Sequence, residues 1–297
     1  MKHVIYTLFA TLFILTSCKN NKSTEVALTE GTSTTEPSKT PAATFITETL
    51  ELTHCESAVY DAKNNIIYAS LIGNREIGDG SIATVDTNGK LINIKFIDAL
   101  NDPKGIAITK DRLYVSDVTE LVEADLATGK IIKKHTHESI KFLNDVAIDD
   151  TGNVFVSDTA TSEIYKLDKK GNFSLWLADS ELDNPNGLLI QDNIMYVESW
   201  GGQPEGGRVS RIDMVTKSID SISTIIGNLD GIRPYDQNRM IISDWKSGNI
   251  HLIDYNGDTE QVLKVGKSVG DIAYIKEKNL LLLPMNKQSR LLFYKLK

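Results

Sequence analysis

The sequence predicts an all-β protein, a single six-bladed β-propeller, from three observations. A phrase of about forty residues recurs along the chain. Its parts are short runs with apolar alternation of period two. The runs are separated by turns rich in Asp, Asn and Gly. The clearest copy runs from Phe142 to Leu167, with an apolar strand, the turn Asp149-Asp-Thr-Gly-Asn153, a second strand ending in Asp158, and a third strand.

Six copies align on their first strand. They begin Cys-Glu56-Ser, Pro-Lys104-Gly, Leu-Asn144-Asp, Pro-Asn186-Gly, Leu-Asp230-Gly and Val-Gly270-Asp, at spacings of 48, 40, 42, 44 and 40 residues. A second strand follows in each copy: Ile66 to Ser70, Leu113 to Asp117, Val154 to Asp158, Met195 to Glu198, Met240 to Asp244 and Leu280 to Pro284. Each copy therefore has the content of a four-stranded blade. Six blades close a ring, which leaves few free strand edges.

The N-terminal segment stands outside this pattern. Val4 to Leu15 is an apolar run too short to span a bilayer and of the right length for a signal peptide over residues 1–17. It ends Leu15-Thr-Ser-Cys18, a string that resembles the lipobox of bacterial lipoproteins. That resemblance implies a lipid on Cys18, anchoring to a membrane without spanning it, and a periplasm-facing place in the cell envelope. Residues 18–45 are rich in Ser, Thr, Lys, Glu and Pro and read as a disordered tether. The propeller is expected over residues 46–297, as a monomer.

Net charge is −8, and no Lys/Arg block stands out beyond pairs such as Lys133-Lys134, so nucleic acid is not an expected partner. The chain has two cysteines; with Cys18 assigned to the lipid, Cys55 has no disulfide partner and reads as a small buried hydrophobe. His135 and His137 read as a solvated strand face. No Gly-x-Ser-x-Gly elbow, His-Glu-x-x-His helix or paired-Cys motif is present, which leaves serine-hydrolase and zinc-peptidase readings without support.

In a propeller the innermost strands surround the axis, so equivalent positions form a ring. Here that ring is Glu56, Lys104, Asn144, Asn186, Asp230 and Gly270. Two carboxylates and two carboxamides offer hard oxygen ligands, which suit Ca²⁺ first, with Mg²⁺, Mn²⁺ and Zn²⁺ as alternatives. Lys104 either pairs with Glu56 or Asp230 or meets a substrate carboxylate. Asn186-Gly187 and Asp230-Gly231 also have the composition of ordinary turns.

The phrases Glu56-Ser-Ala-Val-Tyr-Asp61, Asn144-Asp-Val-Ala-Ile-Asp149, Asn186-Gly-Leu and Asp230-Gly-Ile resemble the senescence marker protein/gluconolactonase (regucalcin-like) family of six-bladed propellers. The resemblance implies one divalent metal at the channel mouth held by Glu56, Asn186 and Asp230, substrate contact at Asn144, and hydrolysis of a lactone or similar small cyclic ester. It makes Asp230 the catalytic base. Asp145 is a second candidate for that role and is grouped with Asn144 and Lys104 among the substrate contacts. An Arg common in the family two residues before the substrate Asn is Phe142 here, and Lys104 adds a cation to the ring. The stretch Val146 to Asp158 also resembles NHL repeats, which implies the alternative of a non-catalytic propeller binding a protein, peptide or glycan.

Two loops are expected at the channel rim. One is Ser199 to Gly207, glycine-rich but without the features of a phosphate loop; the other is the insertion Gly73 to Gly80. Trp200 and Trp245 either line the mouth or pack between blades. Asp117, Asp158, Glu198 and Asp244 end second strands and read as turn caps, with Glu198 also able to reach the pocket.

Overall fold

The computed structural model describes residues 42–297. Cys18, the signal segment and most of the expected tether lie outside the described residues. The described chain forms six antiparallel sheets of four strands, with three short 3₁₀ turns as its helical content. These are the expected blades: residues 55–100, 103–136, 143–178, 185–221, 229–264, and a sixth built from both ends of the domain. In the sixth, Ala43–Thr49 pairs antiparallel with Arg290–Leu296 and supplies the outermost strand. This strand begins within the segment expected to be tether. It joins the first and last parts of the domain by main-chain hydrogen bonds, so the ring closes without a free edge at its seam.

Many of the hairpins are closed by Asp/Gly turns. In Asp149-Asp-Thr-Gly152 the Asp149 carboxylate accepts from the N–H groups of Thr151 (2.9 Å) and Asn153 (2.8 Å). Gly152 supplies the left-handed conformation, φ 85°, that closes the turn. Apolar residues of each strand pair then face the next blade. One cluster joins Tyr68, Ile82 and Ile97 of blade 1 to Ile106, Leu113 and Val122 of blade 2, and others fill the remaining blade boundaries. The core is thus distributed around the ring, and the axis is left to polar groups.

The innermost strands are Cys55–Asp61, Pro103–Ile108, Leu143–Ile148, Pro185–Gln191, Leu229–Pro234 and Ala273–Ile275. Each has one extra residue against its neighbour. Cys55 and Ala58 pair with Leu71 and Ala69, and the same slip occurs between Pro103/Ile106, Leu143/Val146, Pro185/Leu188 and Leu229/Ile232. In blade 6 it lies between the Val269–Met285 bridge and the Ala273–Leu282 pair. These β-bulges fall on the ring residues, and a bulge re-aims the side chain it carries.

Asn186-Gly187 and Asp230-Gly231 are therefore strand interiors, not turns. Glycine is required by the close approach of the following blade. A Cβ on Gly187 would lie 2.6 Å from both the Asp230 carbonyl and Glu198 Oε2, and one on Gly231 would lie 2.5 Å from the Ile272 nitrogen.

In blades 1, 3 and 5 a serine in the second strand locks the bulge. Ser57, Asp145 and Gly231 donate their N–H to the Oγ of Ser70, Ser157 and Ser243 at 2.9–3.0 Å. Ser157 and Ser243 also donate to the carbonyls of Asn186 (2.8 Å) and Gly270 (2.9 Å) in the next blade, and Ser116 donates to that of Asn144. In blade 4 the register places Glu198 at this serine position, because Val197 pairs with Leu188 as Val156 pairs with Val146. Glu198 therefore does not share the phase of Asp117, Asp158 and Asp244. Those three do cap turns: Asp117 accepts from the N–H of Asn101 and Asp102, Asp158 from Lys141 and Phe142, and Asp244 from Lys246 and Ser247.

Cys55 is fully buried, as its composition-based role requires. His135 departs from expectation. It is buried, with Nε2 3.1 Å from Glu123, because its strand edge is covered by the Phe173 ring of blade 3.

Candidate active site at the mouth of the ring

The bulges bring Glu56, Lys104, Asn144, Asn186 and Asp230 into one cavity of about 300 Å³. Ile72, Arg75, Phe142, Thr159, Trp200, Trp245 and Asn286 complete its lining. Three buried oxygens in it lack a hydrogen-bond partner: Glu56 Oε2, Asn186 Oδ1 and Asp230 Oδ1. The Asn186 amide is oriented by its Nδ2, which donates to the Leu229 carbonyl at 3.1 Å and leaves Oδ1 unpaired. Asn144 Nδ2 donates to Thr159 Oγ1 at 3.1 Å.

Lys104 pairs with neither Glu56 nor Asp230. Its Nζ lies 2.9 Å from Asp102 Oδ1, outside hydrogen-bond geometry, donates to the Asp102 carbonyl at 3.2 Å, and sits 4.7 Å from the centre of the Phe142 ring. Phe142, the family departure, is thus the surface on which the extra cation rests. The salt-bridged plug that the sequence allowed does not form, and neither Glu56 nor Asp230 has an ion-pair partner among the described residues.

The energetic result is a buried excess of acid. Burial and then the Asp230 charge push the Glu56 carboxyl well above the usual range, with Lys104 opposing. Burial, Asp271 and Asp145 do the same to Asp230, against an Asn186 hydrogen bond and Lys104. Asp145 does not line the mouth. It accepts from the N–H groups of Val146 and Leu188, both at 2.7 Å, and lies 3.9 Å from Arg233. Burial and Asp271 push it up to about 8, against Arg233. Asp271, also raised by burial, accepts from Arg233 Nη2 at 2.6 Å and Ser57 Oγ at 2.7 Å. Arg233 also lines a separate cavity of about 240 Å³ whose other walls are apolar residues of the innermost strands. Glu198 is wholly buried, both its oxygens are unpaired, and burial and Asp230 raise its pKa.

Asp145 is the one ring-adjacent candidate that the structure leaves out of the mouth. Arg233, Asp271, Arg75, Ile72, Thr159 and Asn286 are additions. Ile72, Thr159, Trp200, Trp245 and Asn286 share one phase of the repeat, the residue just after the second strand, a signal present in the alignment of the copies.

Fold and site together define a six-bladed propeller with a set of unpaired buried oxygens gathered in one cavity at the ring. No family model and no curated protein matches the chain. Among solved structures it is similar to a gluconolactonase from Xanthomonas campestris (14% identity, TM-score 0.68, covering 86% of this chain and 90% of that one). It is also similar to a luciferin-regenerating enzyme (16%, 0.64, 86% and 95%). A third similar structure is virginiamycin B lyase from Staphylococcus aureus (11%, 0.60, 86% and 100%). At these identities the likeness is one of fold, and the fold alone serves more than one chemistry.

Proposed function

We propose that this protein is a divalent-metal-dependent hydrolase of a lactone or similar small cyclic ester. The observation that carries the reading is the convergence of three buried, unpaired oxygens on one cavity, from Glu56, Asn186 and Asp230. Buried acceptors left unpaired cost free energy unless a cation or donor meets them. Two carboxylates and an amide oxygen fit a hard divalent cation, calcium first. Among the described residues no cluster of three or more His, Cys, Asp or Glu side chains offers a competing site. The structural likeness to a gluconolactonase supports the same reaction class.

When bound, such an ion supplies Lewis-acid polarisation of the ester carbonyl and a more acidic water. The chain's own groups do the rest. Asp230 takes the proton of the attacking water. Asn144 and Lys104 meet the substrate at the rim, Lys104 stabilising negative charge as it develops on the carbonyl oxygen. The water oxygen bonds to the carbonyl carbon, the ring C–O bond breaks, and the ring oxygen leaves with the proton as the hydroxyl of a hydroxy acid. Glu56 and Asn186 hold the ion-binding geometry.

The test is calorimetric titration of Ca²⁺ and Mn²⁺ into the full chain, beside Glu56→Gln and Asp230→Asn. One saturable site, lost in both variants, followed by turnover of a lactone panel, is the expected result. A wild-type chain that binds neither ion overturns the proposal and favours a binding propeller with Lys104 as its axial cation.

A further inference from the structure

Just past the second strand of each blade, one residue turns over the mouth. Ile72, Thr159, Trp200, Trp245 and Asn286 hold this position in five blades, and all line the cavity. Their polar members are already engaged. Thr159 Oγ1 accepts from Asn144 and donates to the Pro185 carbonyl at 2.7 Å, and Asn286 Nδ2 donates to the His54 carbonyl at 3.4 Å. What remains is an aromatic wall.

Its two indoles stand 5.5 Å apart between ring centres, inclined at 59°. They are held, not merely adjacent. Asn228 joins their backbones: its carbonyl accepts the Trp245 N–H at 2.9 Å, and its Nδ2 donates to the Trp200 carbonyl at 2.8 Å. The Trp200 N–H donates to Asn184 at 2.9 Å, and the Lys287 ammonium lies 4.8 Å from the centre of a Trp245 ring. The Phe142 ring is held in the same cavity beneath Lys104. Anchored backbones and ring contacts limit the entropy that the wall loses on binding.

We infer that this mouth selects a lactone or cyclic ester carrying a flat apolar substituent, an aryl group above all, over a polyhydroxylated sugar lactone. Each hydroxyl of a sugar lactone needs a partner once it leaves water, and the rings themselves offer only two indole N–H groups, with the Arg75 guanidinium an exposed group at the rim. A flat apolar group instead gains by burial and by aromatic stacking. The cavity, about 300 Å³, suits one such ring system beside the reacting group. The inference rests on the hydrolase reading for the reacting ester, but the wall acts in binding and is measured apart from turnover.

The experiment uses dihydrocoumarin and D-glucono-1,5-lactone, with their ring-opened acids, on the calcium-supplemented full chain. Two of the three tryptophans line the mouth, while Trp176 packs edge-on against Phe155 in blade 3, so indole quenching reports the wall. The aryl acid is expected to quench saturably and gluconate not to. By competition calorimetry, Trp200→Ala and Trp245→Ala should each weaken the aryl acid about tenfold, with calcium binding retained and the Phe variants restoring most of the loss. Gluconate binding as tightly as the aryl acid, or Ala variants that bind the aryl acid like wild type, overturns the inference. Saturable aryl binding without hydrolysis of either lactone supports the inference and overturns the hydrolase reading. Turnover of gluconolactone at least as fast, and untouched by Trp200→Ala, does the reverse.

Discussion

Asp230→Asn separates the two faces of the buried acid cluster, and the two effects have opposite signs. Without metal, the wild-type mouth holds Glu56 and Asp230 against each other, with Asp145 and Asp271 adding to the repulsion and Lys104 already drawn to Asp102. Removing one carboxylate while keeping its shape relieves that repulsion. The metal-free variant should therefore be more stable than metal-free wild type, by about 1–3 kcal/mol, the usual order for relieving a buried unpaired charge. With metal the order reverses. A cation at 100 times its dissociation constant stabilises the native state by about 2.7 kcal/mol. For a domain of this size that is a rise of roughly 5–10 °C in melting temperature. The carboxamide of the variant presents one neutral oxygen in place of an anionic ligand, so this rise should vanish. The assay is thermal unfolding of both proteins in EDTA and in millimolar calcium. Two results refute the reasoning: a wild-type melting temperature indifferent to calcium and manganese, or a metal-free variant less stable than metal-free wild type.

Further expectations follow from the same packing. Glu56, Asp145, Glu198, Asp230 and Asp271 all have native pKa values above their unfolded ones, so the native state binds more protons. Metal-free stability should then be fullest near pH 4–5 and fall as pH rises towards about 8, the value to which Asp145 is pushed; denaturant midpoints in EDTA across that range check the sign, and a rise with pH contradicts it. Gly187→Ala sets a Cβ 2.6 Å from the Asp230 carbonyl and Glu198 Oε2, and should cost about 1–3 kcal/mol and weaken metal binding as Asp230 shifts; unchanged urea midpoint and calcium affinity would show that the blades yield there. Cys18→Ala should move the protein from the membrane fraction to the soluble periplasmic extract and abolish labelling by a fatty-acid analogue, while unaltered fractionation and labelling would refute the lipobox reading.

The architecture is legible because six copies repeat one phrase and the apolar period never drifts. The ring Glu56, Lys104, Asn144, Asn186 and Asp230 is legible for the same reason, since equivalent positions of a closed ring must converge. Three features are not. Ala43–Thr49 forms the outermost strand of blade 6 with only Thr49 buried, so no apolar alternation marks it. The Arg233–Asp271 pair joins blades 5 and 6 across 38 residues, and no local pattern announces a contact between separate blades. Glu198 reads one position out of phase, because a strand ending in an acid looks like its neighbours. Register settles it: the caps follow the serine, and in blade 4 the cap position is Ser199.

Glu198 also shows how the repeat is made to serve one end of the axis. In blades 3 and 5 a serine spans the boundary, accepting from its own bulge and donating to the ring residue of the next blade. The boundary between Asn186 and Asp230 carries a carboxyl there instead, closed over by Gly187. Burial and the Asp230 charge hold its pKa well above the ordinary glutamate range, and neither of its oxygens has a hydrogen-bond partner. The substitution therefore fills the serine position without making the serine's two hydrogen bonds. The space it occupies is given by glycine at 187, which follows Asn186. Asn186-Gly187 and Glu198 are thus one packed unit: the glycine admits the acid, and the acid fills the boundary beside the Asp230 backbone. Glu198→Gln, neutral and of the same shape, should preserve melting temperature and calcium affinity at pH 7. Glu198→Ala, which leaves a cavity beside the Asp230 carbonyl, should lose about 2–4 kcal/mol of stability and calcium affinity with it. Calcium affinity unchanged in the alanine variant would show that Asp230 is positioned without this acid.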